Sequence, residues 1–373
     1  MNPCFVEHFS KLPDPRIERN KLHALMDIIV LTICAVISGA EGWEDIADFG
    51  RNQSDWLKRY IPLKNGVPSH DCIAYVISRL SPKGFQDCFI SWTKSVYTQT
   101  EGELISVDGK TARGSRDRKN NRNPLHRVSA WSSASRLILG QEATEVKSNE
   151  ITAIPKLLAL LELKGCIVTL DAMGCQREIA KQIVDQDGDY VLGLKGNQGS
   201  LHEAVEDYFT TAQAAKFKQI KHDYIEEVDN SHGRLETRRY WITDDLQTLP
   251  KTECWAGLRS IGMVEREYEE TGKFFKEKLF FINSIPPIAK TFAYAARGHW
   301  GIENALHWRM DVVLREDASR IRKGNAPGIM TSIRHLVLNL FQKEPSKLSL
   351  PKKRRMAAWD GDFRAKVLFA DKF

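Results

Sequence analysis

LISVDGK, residues 104–110, is the stretch on which the architecture turns. Apolar residues run into Asp108-Gly109, the pattern of a short buried strand closing in a turn. A basic, asparagine-rich loop follows. HRVSAWSS (126–133) and RLILGQEATEV (136–146) then read as two more strands joined by a tight turn, completing a meander. ITAIPKLLALLEL (151–163) has the spacing of an amphipathic helix, and GCIVTLDAMG (165–174) is a strand ending in Asp171. REIAKQIVDQ (177–186) is a helix, and DYVLGLKGNQ (189–198) is a strand entering a glycine-bounded loop.

The order is therefore β-β-β-α-β-α-β. Three antiparallel strands followed by two parallel ones is the order of a ribonuclease H-like mixed sheet in an α/β fold. Outward from this core, residues 20–96 read as helical. LHALMDIIVLTICAVISG is dense enough in apolar residues for a buried helix, and Ser69 and Ser81 are placed to start later ones. Downstream, SLHEAVEDYFTTAQAAKF is helical. Strand-like runs then fill a β-rich insertion at about residues 219–285, and helical pattern returns over 287–317. The division expected is a helical unit at 1–98, a catalytic unit at 99–345 and a basic C-terminal tail at 346–373.

Composition narrows the functional classes. The chain has 373 residues, 42% hydrophobic and 27% charged, so it can build a core and is not globally disordered. Its seven cysteines include no C-x-x-C pair, which argues against a zinc site or disulfide framework and fits a reducing cytoplasm. The most apolar run, IIVLTICAVISGA (28–40), has thirteen residues, whereas a spanning helix needs roughly 20. No membrane role is expected. The net charge of +6 is modest but concentrated: residues 109–127 carry +6 and residues 345–373 carry +5. Two basic segments on a slightly acidic body suggest contact with a polyanion.

Asp108 and Asp171 each end an apolar strand, and in this order the two strands lie side by side. Ligands of open α/β sheets bind at the carboxyl ends of strands. Two carboxylates there repel unless a cation lies between them, and Mg²⁺ accepts carboxylate oxygens together with water. Each aspartate alone could equally be a turn residue. Glu303, on a helix with His299, Trp300, Asn304 and His307 around it, is the best third carboxylate for a second metal.

ISVDGKTARGS, VTLDAMGCQ, YVLGLKGNQ and ARGHWGIENALHWRMDVVLRED together resemble the catalytic blocks of a DDE-type insertion-sequence transposase, in the H-repeat-associated branch found near Rhs elements. FSKLPDPRIERNKLHALMDIIVLTICAVISGAEGWEDIADFG resembles that branch's N-terminal associated domain. The resemblance covers nearly the whole chain. It implies a ribonuclease H-like fold, Mg²⁺ dependence with Mn²⁺ as a substitute, and cleavage and joining of double-stranded DNA at terminal inverted repeats. It also implies Asp108, Asp171 and Glu303 as catalytic triad and metal ligands, a homodimer or higher in the reacting complex, and a cytoplasmic, nucleoid-associated location. Related transposases carry a Tyr-x₂-Arg-x₃-Glu-x₆-Lys signature around the third acid. Here those positions hold Ala296, His299, Glu303 and Met310. Arg297, His299, Arg309 or Lys323 would then supply the phosphate contacts.

Further DNA contacts are expected from Lys110, Arg113 and Arg116 after the first acid and from Lys195 and Asn197 at the end of the fifth strand. Lys352, Lys353, Arg354 and Arg355 in the tail are the last group. Trp300 and Trp308 are expected in the core. Two other functions remain open from sequence: a catalytically decayed DNA-binding remnant of an element, and a structure-selective nuclease of the same fold.

Overall fold

The computed structural model describes residues 5–144, 150–218, 220–230, 235–270 and 273–369. Its centre is one nine-stranded mixed sheet in the order β3-β2-β1-β4-β5-β9-β8-β7-β6. The strands are β1 (Leu104–Ala112), β2 (Leu125–Ser132), β3 (Ile138–Thr144), β4 (Ile167–Leu170), β5 (Asp189–Leu194), β6 (Asp223–Asp229), β7 (Glu236–Thr243), β8 (Ser260–Glu270) and β9 (Lys273–Asn283). β1 pairs antiparallel with β2 and parallel with β4, and β4 pairs parallel with β5. The apolar runs legible in sequence thus become neighbouring central strands. The β-rich stretch after residue 219 continues the same sheet, because β9 pairs antiparallel with β5. Its outer strand β6 carries Asp223, Glu226, Glu227 and Asp229, charges that discourage pairing with another edge.

Successive strand residues face opposite sides. Leu104, Ile167 and Val191 lie in one apolar cluster with Phe292, Ala293 and Ala296 of the helix Ala289–Ile302. Ile105, Val107, Val168 and Leu192 belong to the other cluster, which includes the N-terminal helices. The alternation carries forward, so Ser106 and Asp108 of β1, Thr169 of β4 and Asp171 just after it share the face covered by the helix Ala289–Ile302. This is how two strands and one helix bring their polar residues together.

The N-terminal helices share a core with the sheet. Leu25–Ile37 is buried along its length except at Met26, and it packs against the helix Ala326–Lys343. Ser69 accepts a bond from Cys72 N at 3.2 Å and Ser81 one from Gly84 N at 3.1 Å, capping the helices they begin. Among the described residues no helix is long and apolar enough to cross a membrane.

The C-terminal segment is helical. Read as a basic tail, it forms the helices Leu350–Trp359 and Gly361–Phe369. Phe369 stacks on Phe5 at 6.3 Å and on Tyr60 at 4.7 Å, and Trp56 Nε1 donates to Gly361 O at 3.1 Å. The charge pattern concealed this because the partners lie some 300 positions away in the chain.

Candidate active site

Val107 stands opposite Leu170, so the next residues, Asp108 and Asp171, are neighbours across the parallel pair. Asp171 is held in place by its backbone: its Oδ1 accepts from Met173 N at 3.0 Å and Gly174 N at 3.2 Å. Asp108 Oδ1 accepts from Gly109 N at 2.8 Å. Burial, with the negative charges of Asp171, Glu150 and Glu303 adding to it, pushes the Asp108 carboxyl up to about 7 against the single bond from Gly109. Asp108 therefore feels the other two expected acids, and all three line one cavity of about 310 Å³ with Lys195 and His299.

Glu303 reaches this cavity through an irregularity. The helix Ala289–Ile302 runs into a π-helical turn, Glu303–His307, before continuing as Trp308–Val312. Ile302, Leu306 and Met310 are buried at steps of four, so one face stays on the core through the irregularity. The helix is tied to the strands below it by a polar chain. Thr169 Oγ1 bonds His299 Nδ1 at 3.0 Å and donates to Ser106 Oγ at 3.2 Å, while Ser106 Oγ donates to Gly298 O at 3.3 Å. Burial lowers the His299 pKa, keeping the ring neutral. Ser106 and Thr169 were missed in the sequence. The signal available was a small hydroxyl residue two positions before each aspartate, in strands otherwise apolar.

Gly298 permits the close approach. A Cβ there would run into Cδ2 of Leu104, which is fully buried and cannot swing aside. Gly298→Ala should therefore lower the melting temperature. Overpacking costs about 1–3 kcal/mol, more than the ~1 kcal/mol an alanine contributes to a helix. A raised melting temperature in a thermal scan would refute this packing argument.

Other expected contacts are placed differently. Lys110 Nζ lies 2.7 Å from Asp311, 3.5 Å from Asp317 and 3.6 Å from Glu316, so it binds the chain beyond Glu303 to β1. Arg297 is engaged by Glu227 at 3.1 Å and Asp229 at 2.6 Å, holding the helix to β6. His299 is spent on Thr169, and Asn197 Nδ2 donates to Ala172 O at 2.6 Å, bracing the turn after Asp171. Lys353 is buried, paired with Glu344 at 3.0 Å and donating to Phe341 O at 2.9 Å, while Arg354 donates to Val313 O. Each of these side chains already has a partner within the fold. Lys352 lies over the Trp359 ring at 5.3 Å. Arg113, Arg116, Lys195 and Arg355 are exposed. Trp300 and Trp308, expected in the core, are 52% and 54% exposed.

The donor set suits a hard divalent cation. It consists of carboxylate oxygens, and the Asp108 carboxyl is raised first by burial and then by the neighbouring acids, both of which a bound cation would offset. Among the described residues no three His, Cys, Asp or Glu side chains form a ready cage for one ion. Mg²⁺ needs none, since it binds through one or two carboxylates and completes its shell with water and phosphate oxygens.

The profile of the family described as Transposase DDE domain matches residues 99–340, and that described as DDE_Tnp_1-associated matches residues 6–93. The chain belongs to the DDE transposases. Within this family it falls in the H-repeat-associated branch. It is 42% identical to the "H repeat-associated putative transposase YhhI" of Escherichia coli K12, over 97% of each chain. The protein YbfL of the same organism is also 42% identical over 97% of each chain. The solved piggyBac transposase synaptic complex with hairpin DNA gives a TM-score of 0.44 at 11% identity, covering 98% of this transposase chain and 78% of that one.

Proposed function

We propose that this chain is a metal-dependent transposase that cleaves double-stranded DNA at the terminal inverted repeats of an insertion sequence and joins those ends to a target. The observation that carries the reading is the convergence of Asp108, Asp171 and Glu303, far apart in sequence, on one cavity where the parallel pairing of β1 with β4 ends. On this reading β3-β2-β1-β4-β5 is a ribonuclease H-like core, β6–β9 are its insertion, and residues 1–98 serve in DNA recognition.

Asp108 and Asp171 would hold one divalent ion between adjacent strands, and Glu303 would complete a second site with Asp108. Bound there, Mg²⁺ or Mn²⁺ would activate the attacking water or 3′-hydroxyl and stabilise the leaving oxygen of an in-line phosphoryl displacement. The chain's own residues do the positioning. Met173 and Gly174 amides fix Asp171, the Ser106–Thr169–His299 chain sets the Glu303 helix, and exposed Lys195 at the cavity would meet a phosphate of the reacting strand. Joining two ends calls for at least a dimer, and chromosomal DNA as substrate puts the protein at the nucleoid.

The test is a cleavage and strand-transfer assay with the full chain, element-end duplexes and Mg²⁺. Both products are expected from the wild type. Asp108→Ala should keep DNA binding and lose both. Wild-type binding without cleavage would identify a decayed remnant, and cleavage without joining would identify a nuclease; either result overturns the proposal.

A further inference from the structure

A groove of about 850 Å³ lies where Glu41–Trp43 of the N-terminal helices meet the segments 117–122 and 318–324. Both segments extend from elements carrying the acids. The first belongs to the β1–β2 loop, beyond Asp108 at the sheet end where Asp171 sits, and the second follows the Glu303 helix. They are braced to each other. Arg322 Nε donates to Gly114 O at 3.1 Å and Arg113 N to Asp317 Oδ1 at 3.0 Å. A Cβ at Gly114 would strike the carbonyl oxygens of Ser319 and Asp317, so the loops meet backbone to backbone.

Three cations line this groove and are exposed: Arg122, Arg320 and Lys323. Unlike Lys110, Arg297 and Lys353, none of them is ion-paired with a described residue. The two carboxylates present are already engaged. Asp117 accepts from Asn120 Nδ2 at 2.6 Å, and Glu41 pairs with Arg315 at 3.3 Å. The surface is thus a firm frame presenting uncommitted positive charge on the loop that leaves β1 and the segment that follows the Glu303 helix.

We infer that this groove binds the backbone of duplex DNA flanking the reacting phosphate, with Arg122, Arg320 and Lys323 each neutralising a phosphate. The inference rests on the transposase reading and adds a site to it. At about 3.3 Å per strand residue, the end of β1 is about 13 Å from Asp108, or about four base steps of about 3.4 Å. The contacts would be independent of base sequence.

The experiment measures Kd for a 30-base-pair duplex between about 50 and 200 mM salt, where each neutralised phosphate contributes about 0.9 to the slope of log K against log salt. Arg122→Ala/Arg320→Ala/Lys323→Ala should lower the slope by roughly two to three and weaken binding at least tenfold at the lower salt. Lys156→Ala/Lys164→Ala/Lys181→Ala, three exposed lysines elsewhere, should leave the slope unchanged. An unchanged slope in the groove variant, or equal loss in both variants, would overturn the groove while leaving the transposase reading intact. Absence of salt-dependent duplex binding by the wild type would overturn both. The substituted side chains are exposed, and unchanged melting curves would show that each variant is folded.

Discussion

Asp171→Asn should reduce Mg²⁺-dependent cleavage roughly a hundredfold or more, a loss of at least about 2.7 kcal/mol of transition-state stabilisation, at every Mg²⁺ concentration tried. The substitution isolates charge from architecture. Asp171 Oδ1 accepts two backbone N–H bonds, and the amide oxygen of asparagine can accept both, so the turn after β4 should hold. What disappears is one negative oxygen beside Asp108. A neutral amide is a poor ligand for a hard cation, so added metal should not restore the rate. Mn²⁺, which tolerates weaker oxygen donors in this series, should restore no more than a small fraction. Residual cleavage above a tenth of wild type would deny Asp171 its metal role. A large fall in melting temperature would instead show that the carboxylate mattered mainly as a cap.

The central strands and their two aspartates were legible because burial and polarity change together there. LISV and IVTL are mostly apolar on both faces, as strands covered on both sides must be, and the first charged residue after each run marks where the parallel pairing of β1 with β4 ends, although β1 itself runs on to Ala112. Glu303 was legible only through its neighbours, since a π-turn leaves no mark in periodicity that a regular helix would not also leave. Ser106 and Thr169 escaped notice because a small hydroxyl residue in a strand resembles any other filler until a helix places His299 against it. The pairing of the basic segments was hidden for a related reason. Charge counted along the chain is independent of what it faces. Lys110 meets three carboxylates of a later segment and Lys353 two main-chain carbonyls, while Arg122 and Arg320 form no ion pair with a described residue. Pairing across long separations decides whether a cation belongs to the fold or to a partner.

That distinction makes deletion of residues 346–373 a test of the fold. Val367, Leu368 and Phe369 are nearly fully buried, and at about 1.5–3 kcal/mol each their removal should cost about 5–9 kcal/mol as an upper bound. A domain's whole stability is about 5–15 kcal/mol. Arg364 adds to the loss: it stacks over Trp56 at 4.0 Å and Phe49 at 5.1 Å and donates to Gln53 Oε1 at 2.7 Å. Without the last helix Phe5 and Tyr60 would face water, and Glu344 would lose Lys353 and Ser346 together. The truncated chain should be insoluble or melt without cooperativity, read by circular dichroism and size-exclusion chromatography. Lys352→Ala/Arg355→Ala should melt within about a degree of wild type, because peripheral charges of this kind contribute little to stability. A simple basic tail would give the opposite pattern, with truncation leaving the melting curve unchanged and removing only DNA affinity. That result would show that the two terminal helices do not close the N-terminal core.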